Sequence, residues 1–523
     1  MPASVSPPRA LLSAASASPV PSAASTPSTP SASSSPSTAS SPSAPTTSSA
    51  PSAPSARFTT LLALLARRPA ALAWGLAAGF AALYICVAVN RHRRGLTKAY
   101  DLGIFEQAVR AYAHGQAPIV PLKGTGYHLL GDHFHPLIAV LAPAYRAFPS
   151  PLTLVVAQAL LMALAVVPLT RWAHEVAGAR AALIVGCATG ASWGIVRAAA
   201  DDFHEIAFAV PLLAFAATAL GRRRPLAAAL WSLPLLLVKE DLGLTVAAVG
   251  VLIAWQARRE RRRSPLPGLA LAVVGLAATV LTVLVVLPAF NPSGGFDYWQ
   301  QLDGGGQGGQ ASLRALPLRL GWPPVKWLLL FLLAATAGFA GVRSPLLLLC
   351  VPTLAWRLFS ANPHYWGVSY HYSAVLMPIA LAALVDVLRR CDARRVRRAL
   401  AVSALVTAVT LPLYPLHEVV MPEAWRTSPR LTETRAMLHR VPDGAAVAAS
   451  NRLAAQLTGR AEVTLVCRAP VGPGPQWVAV DLRDPSVQAP CATADTARML
   501  ALYRERGYRP LVEQDGLLLL QRP

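Results

Sequence analysis

Apolar residues come in long blocks along most of this chain, and polar residues gather between the blocks instead of alternating with them. The first block, Pro69–Val89, holds about 20 residues, enough to cross a ~30 Å hydrocarbon core as a helix. Further blocks lie near 151–170, 181–197, 206–220, 225–238, 242–257, 267–288, 326–342, 345–359, 372–388 and 399–416, about eleven in all. This pattern predicts an all-α polytopic membrane domain over 57–417, with about 11 transmembrane helices and a large polar first loop over 90–150. Beyond 418 the pattern changes. Strand-like pieces, Ala445–Ala449, Glu462–Cys467, Trp477–Leu482 and Gly516–Gln521, stand among helical patterns near 429–440 and 493–506. That alternation predicts a small α/β domain over 418–523. Residues 1–56 have no periodicity. Fifty of them are Ser, Ala, Pro or Thr, with Arg9 the single charge. Such a segment buries too little apolar surface to offset its ordering entropy, so a disordered tail is expected.

Composition agrees with a membrane protein. Hydrophobic residues make up 54% of the 523 and charged residues 14%, against about 25% charged in soluble domains. The net charge of +22 would point to nucleic acid in a soluble protein. Its distribution excludes that partner, because the arginines cluster in short runs between apolar blocks. With the N-terminus in the cytoplasm and alternating spans, three such runs fall inside: Arg222–Arg224, Arg258–Arg263 and Arg389–Arg398. This is the usual positive-inside asymmetry. Arg91, Arg93, Arg94 and Lys98 run against it. The C-terminal domain is then extracytoplasmic, where Cys467 and Cys491 can pair. The other four cysteines lie in apolar runs or an arginine-rich loop, and no zinc-type spacing occurs.

The same topology places every chemically rich segment on the outer side. Asp101 and Glu106 lie in the first loop, followed by Asp132, His133 and His135. Asp202, His204 and Glu205 precede one span, and Lys239, Glu240 and Asp241 precede another. His364, Tyr365, Tyr370, His371 and Tyr372 form the last group. Ionisable groups at membrane depth are costly and point to function, so one shared outward cavity is expected. The His-x-His spacing of His133 and His135, beside Asp132, suits a divalent metal; no other cofactor is indicated. Asp201 or Asp202 could equally cap a helix, and Lys239 and Glu240 could form a plain ion pair. The glycine-rich stretch Asn291–Gln310, with Phe296, Tyr298 and Trp299, reads as a loop over a ligand or as a linker.

These segments also carry a resemblance. The run Tyr100-Asp101-Leu102-Gly103-Ile104-Phe105-Glu106-Gln107-Ala108 resembles a family of bacterial and archaeal membrane proteins, the domain of unknown function DUF2079. So do Gly131-Asp132-His133-Phe134-His135-Pro136, Pro149-Ser150-Pro151-Leu152-Thr153-Leu154, Asp202-Phe203-His204-Glu205 and Lys239-Glu240-Asp241, in order and approximate spacing. The likeness covers roughly residues 75–415. That architecture is similar to the GT-C glycosyltransferases, which keep a catalytic carboxylate early in a large first outer loop. The resemblance implies an inverting transferase that takes sugar from a polyprenyl-phosphate donor in the membrane lipid. The acceptor would be an envelope glycan, lipid or protein. Asp101 then stands as general base with Glu106 nearby. Asp202, His204, Glu205, Lys239, Glu240, His364, Tyr365 and His371 contact substrate, and Asp132, His133 and His135 take a metal if one is used. A transporter or flippase, or a non-catalytic envelope assembly protein, is the alternative. The former calls for polar residues through mid-span and internal repeats; the sequence has neither.

Overall fold

The structure is a computed structural model, and it describes residues 68–261, 264–298, 321–360, 362–470, 472–484 and 490–523. The tail expected to be disordered, 1–56, lies outside the described residues, as does most of the glycine-rich stretch. The helices that shape the membrane body are α1 (Pro69–Arg93), α2 (Ile104–Ala113), α3 (Pro151–Leu164), α4 (Val166–Gly190), α5 (Ile206–Gly221), α6 (Leu242–Glu260), α7 (Leu266–Leu281), α8 (Leu376–Leu388) and α9 (Ala393–Thr410). Among the described residues five stretches are long and apolar enough to cross a membrane: Pro69–Arg93, Pro151–Gly190, Leu266–Phe290, His371–Leu388 and Ala393–Leu413. Five shorter apolar helices accompany them. The expected count of about eleven spans, several of them short, is not confirmed among the described residues. Prolines shorten several of the helices: Pro225, Pro234, Pro345 and Pro352 each open a short α or 3-10 piece where a sequence block reads as continuous.

The stretch Pro151–Gly190 is not one rod. Ala177 and Gly178 leave helical conformation, Gly178 with φ of 78°. A Cβ built on Gly186 would run into the side chain of Thr170. Sixteen residues of straight helix would hold those positions about 24 Å apart. The chain therefore reverses at Gly178, within the loop 171–180 read from the sequence. Helices α6 and α7 pack antiparallel through glycine: a Cβ on Gly243, Gly250, Gly268 or Gly275 would meet the facing backbone. Lipid tails give no hydrophobic drive between helices, so such close packing supplies the attraction. The other side of α7 exposes Leu266, Val273, Leu276 and Val280, as a lipid-facing surface should. Helix α8 is buried along its whole length at the centre of the body.

The two ends of the bundle differ. Helices α5, α6 and α8 each start beside a site cluster and end in an arginine run. At the arginine end Arg222 pairs with Glu175 (2.6 Å), and Arg389 and Arg390 pair with Asp386 (3.0 and 3.4 Å). The opposite end carries the C-terminal domain. Its strands are β1 (Ala446–Ala449), β2 (Glu462–Leu465), β3 (Trp477–Asp481), β4 (Arg509–Gln514) and β5 (Leu517–Gln521), in the order β2-β1-β3-β5-β4. The β2-β1-β3 part is parallel and the β3-β5-β4 part antiparallel. Successive side chains on a strand point to opposite faces. One face, with Val447, Ala449, Ala479, Leu517 and Leu519, joins the core of the membrane body. The other, with Val478, Val480, Leu518 and Leu520, packs on Met499, Leu500 and Tyr503 of helix Thr493–Glu505. The disulfide Cys467–Cys491 forms, with Cα atoms 5.6 Å apart.

The first loop rests on this domain. Gln107 donates to the Val463 carbonyl (2.9 Å), Arg110 to the carbonyls of Thr458 (2.8 Å) and Ala461 (3.2 Å), and the Tyr100 N–H to Asn451 Oδ1 (2.9 Å). The arginines that ran against the charge rule also lie at this end. Arg91 and Arg94 both pair with Glu418.

Candidate active site

Several separate turns bring the polar segments to one place. Asp101 sits in the turn Ala99–Gly103 that enters α2, a turn tied through Tyr100 to the C-terminal domain. His204 ends the bend before α5. Buried Gln158 of α3 fixes that bend: its side-chain amide donates to the carbonyls of Ala198 (2.9 Å) and Asp202 (3.1 Å), and its oxygen accepts the His204 N–H (2.9 Å). The His204 Nδ1–H donates to the Asp202 carbonyl at 2.7 Å, which turns Nε2 toward Asp101 Oδ1, 3.4 Å away. His371 lies against His204, ring centres 3.5 Å apart. Asp101 keeps 41% of its side chain exposed, while His204 is buried.

Three further ion pairs complete the cluster. Lys239 meets Glu205 at 2.9 Å, His133 meets Glu240 at 2.7 Å, and Lys123 meets Asp132 at 2.8 Å. Glu240 also accepts the Phe134 N–H (3.1 Å), and Tyr298 donates to Asp132 (3.2 Å). Asp241 accepts from the Trp356 indole (2.8 Å). Together these residues line a cavity of about 300 Å³. One wall is aromatic: Tyr365 stands edge-on to both Trp356 (5.1 Å) and Tyr372 (4.9 Å). Fully buried Arg357 holds that wall, donating to the carbonyls of Tyr365 (2.6 Å), Gly367 (3.2 Å) and Tyr372 (3.2 Å).

Burial and neighbouring charge set the protonation states. Burial pulls the His204 imidazole down, but Asp101, Asp201 and Glu205 outweigh it and raise it to about 9. At neutral pH His204 is an imidazolium. Burial pushes Glu205 up, yet Lys239 and the histidines around it bring it down to about 2. Lys239 is held well above its ordinary value, burial being overcome by Glu205, Glu240 and Asp241. Burial keeps His135 neutral, lowered to about 4.

The structure brings Asp101, Asp132, His133, His135, His204, Glu205, Lys239, Glu240, Tyr365 and His371 to the cavity. Three expected site residues are not on its lining. Asp202 lies behind it, accepting the Lys98 N–H (2.9 Å). His364 packs edge-on to Tyr370 (4.8 Å). Glu106, one helical turn beyond Asp101, points the other way: it is fully buried, accepting hydrogen bonds from Tyr145 (2.9 Å) and from Thr458 of the C-terminal domain. Asp132, His133 and His135 do not fit a divalent metal. Asp132 is taken by Lys123 and Tyr298 and His133 by Glu240, which leaves the buried His135 Nδ1, without a partner among the described residues, on a ring edge-on to Phe105 (5.3 Å). Among the described residues no group of three or more His, Cys, Asp or Glu side chains is placed to hold a metal ion. Lys123, Trp356, Arg357 and Gln158 escaped the sequence reading. Lys123 had one signal, a lone lysine in the glycine turn Lys123-Gly124-Thr125-Gly126; the other three sit in apolar blocks without distinguishing context.

A family model described as predicted membrane protein (DUF2079) matches residues 91–519. The chain belongs to the DUF2079 family. The match takes in the first loop, the spans after the first and most of the C-terminal sheet, and agrees with the apolar helices in placing this DUF2079 protein in a membrane. No curated protein matches it. Among solved structures it is similar to ArnT from Cupriavidus metallidurans, a crystal structure bound to undecaprenyl phosphate. The two share 15% identity with a TM-score of 0.49, over 85% of this chain and 98% of that one.

Proposed function

We propose that this DUF2079 protein is an inverting membrane glycosyltransferase of the GT-C type. It takes sugar from a polyprenyl-phosphate donor and passes it to a cell-envelope acceptor on the outer face. The observation that carries the reading is the half-exposed Asp101 carboxylate facing buried His204 in a cavity that also holds Lys239 and an aromatic wall. Asp101 accepts the proton of the acceptor hydroxyl as that oxygen attacks the anomeric carbon. The bond from that carbon to the phosphate oxygen breaks on the opposite face, and its electron pair leaves with the phosphate, so the anomeric configuration inverts. His204 aims the Asp101 carboxylate through the contact between its Nε2 and Oδ1. Lys239, positioned by Glu205, supplies positive charge toward the departing phosphate. Trp356, Tyr365 and Tyr372 offer the faces on which a sugar ring stacks. Positioning and charge stabilisation carry the rate, with no step assigned to a metal.

The test is incubation of purified protein with radiolabelled polyprenyl-phosphate sugars and envelope extracts. Wild type should move label into the acceptor fraction, and Asp101→Asn should lower the rate by roughly 10²–10⁴-fold, the usual contribution of a general base. No transfer from any donor in the panel refutes the reading. Full activity in Asp101→Asn removes that residue from the mechanism.

A further inference from the structure

At the end of the bundle that carries the sheet, a groove of about 480 Å³ runs between the last turns of α1 and the segment leading into the C-terminal domain. It shares no residue with the active-site cavity. Its floor is apolar, with Ile85 and Val89 one turn apart on α1. Above them stand Arg93, Arg94, Arg426 and Arg435. Arg435 donates to the Arg93 carbonyl, which holds its guanidinium beside the end of α1. Of the acids nearby in sequence, Glu418 is already engaged by Arg91 and Arg94, and Glu423 and Glu433 form no ion pair with the groove's arginines among the described residues. Among the described residues no carboxylate pairs with Arg93, Arg426 or Arg435. Trp425 lines the same groove and leaves 49% of its surface exposed; beside it in sequence Val420 and Met421 are exposed at 78% and 44%. Tryptophan next to exposed apolar side chains marks the depth of lipid headgroups.

Unpaired like charges held this close repel one another, and every other arginine run of the bundle lies at the opposite end. An anion of matching depth removes that cost. We propose that this groove binds an anionic phospholipid, its phosphodiester among Arg93, Arg426 and Arg435 and an acyl chain along Ile85 and Val89. The apolar floor selects a lipid over a free phosphate, and the arginines select an anionic lipid over a zwitterionic one. The proposal needs only the membrane location and is independent of the transfer reaction.

Native mass spectrometry of the full-length protein in detergent, given equal phosphatidylglycerol and phosphatidylcholine, tests it. Wild type should retain phosphatidylglycerol preferentially. Each arginine near a charged surface changes binding by about fivefold, so Arg426→Gln should lower retention about fivefold. The triple variant Arg93→Gln/Arg426→Gln/Arg435→Gln should lower it roughly a hundredfold. Arg426 is exposed and makes no side-chain hydrogen bond among the described residues, so the single variant answers even where the triple one fails to fold. Arg397→Gln/Arg398→Gln at the other end should keep the preference. Equal retention of the two lipids by wild type overturns the proposal. So does an undiminished preference in Arg426→Gln. Displacement of bound phosphatidylglycerol by millimolar inorganic phosphate overturns it as well, since the groove would then read phosphate alone.

Discussion

Glu106→Gln should make the protein more stable above neutral pH and leave it unchanged in acid. Burial between Tyr145 and Thr458 raises the Glu106 carboxyl from the ordinary 4.5 to about 7, against the hydroxyl bonds and the charge of Arg110 that favour its ionised form. Below pH 4.5 the group is protonated in both folded and unfolded chains and contributes no pH dependence. Between 4.5 and 7 the unfolded chain releases the proton while the folded chain keeps it, so stability falls as pH rises. Two and a half pH units at 1.36 kcal/mol each make the full loss about 3 kcal/mol above pH 7. Glutamine is neutral throughout, and the hydroxyls of Tyr145 and Thr458 can rotate to meet its amide. Denaturant unfolding followed by tryptophan fluorescence in micelles, for both proteins from pH 4.5 to 9, measures the difference directly, and all other titrating groups cancel. The curves should separate progressively between pH 5 and 7 and then run parallel. Curves that stay parallel throughout would show that Glu106 ionises as freely folded as unfolded, and the argument from burial would fail.

Lys239→Met should destabilise by about 3–5 kcal/mol, because it leaves Glu205 charged and buried, and adding Glu205→Gln should restore most of the loss; strictly additive losses in equilibrium unfolding would contradict the pairing. Alkylation without reductant should modify neither Cys467 nor Cys491, and reduction should cost about 3 kcal/mol for their 24-residue separation. In intact cells an impermeant maleimide should label a cysteine placed at His114 and reach one placed at Arg258 only after lysis; the reverse pattern would turn the bundle over.

Where period and charge dominate, the sequence was a good guide. The sheet shows this strand by strand. β1, β3 and β5 are dominated by buried apolar side chains and β2 alternates buried Val463 and Leu465 with polar residues, so all four were legible, whereas β4 was not: it is a mostly exposed edge strand with Pro510 and no apolar period. Helix lengths were harder to read for a related reason, since hydropathy reports that a segment is apolar but not where a proline breaks its hydrogen bonds. At the site, Asp101 and His204 were found because charge beside an apolar block stands out. Sequence gives no direction for a side chain: Glu106, five residues after Asp101, lies off the cavity and faces Thr458, 352 positions away. Arg357 was invisible because all but one of its partners, the Ser373 hydroxyl, are backbone carbonyls, which every residue has.

The bond from Tyr100 to Asn451 has a consequence for how the protein is made. The backbone next to Asp101 is held by a residue 351 positions later. At 5–20 residues per second, the ribosome needs about 20 to 70 s to supply that partner after the first loop has emerged. Through that interval the loop, with its buried-to-be Glu106 and Gln107, has no sheet to rest on. A nascent chain halted before residue 451 should therefore carry every span through α9 and still lack an ordered Asp101.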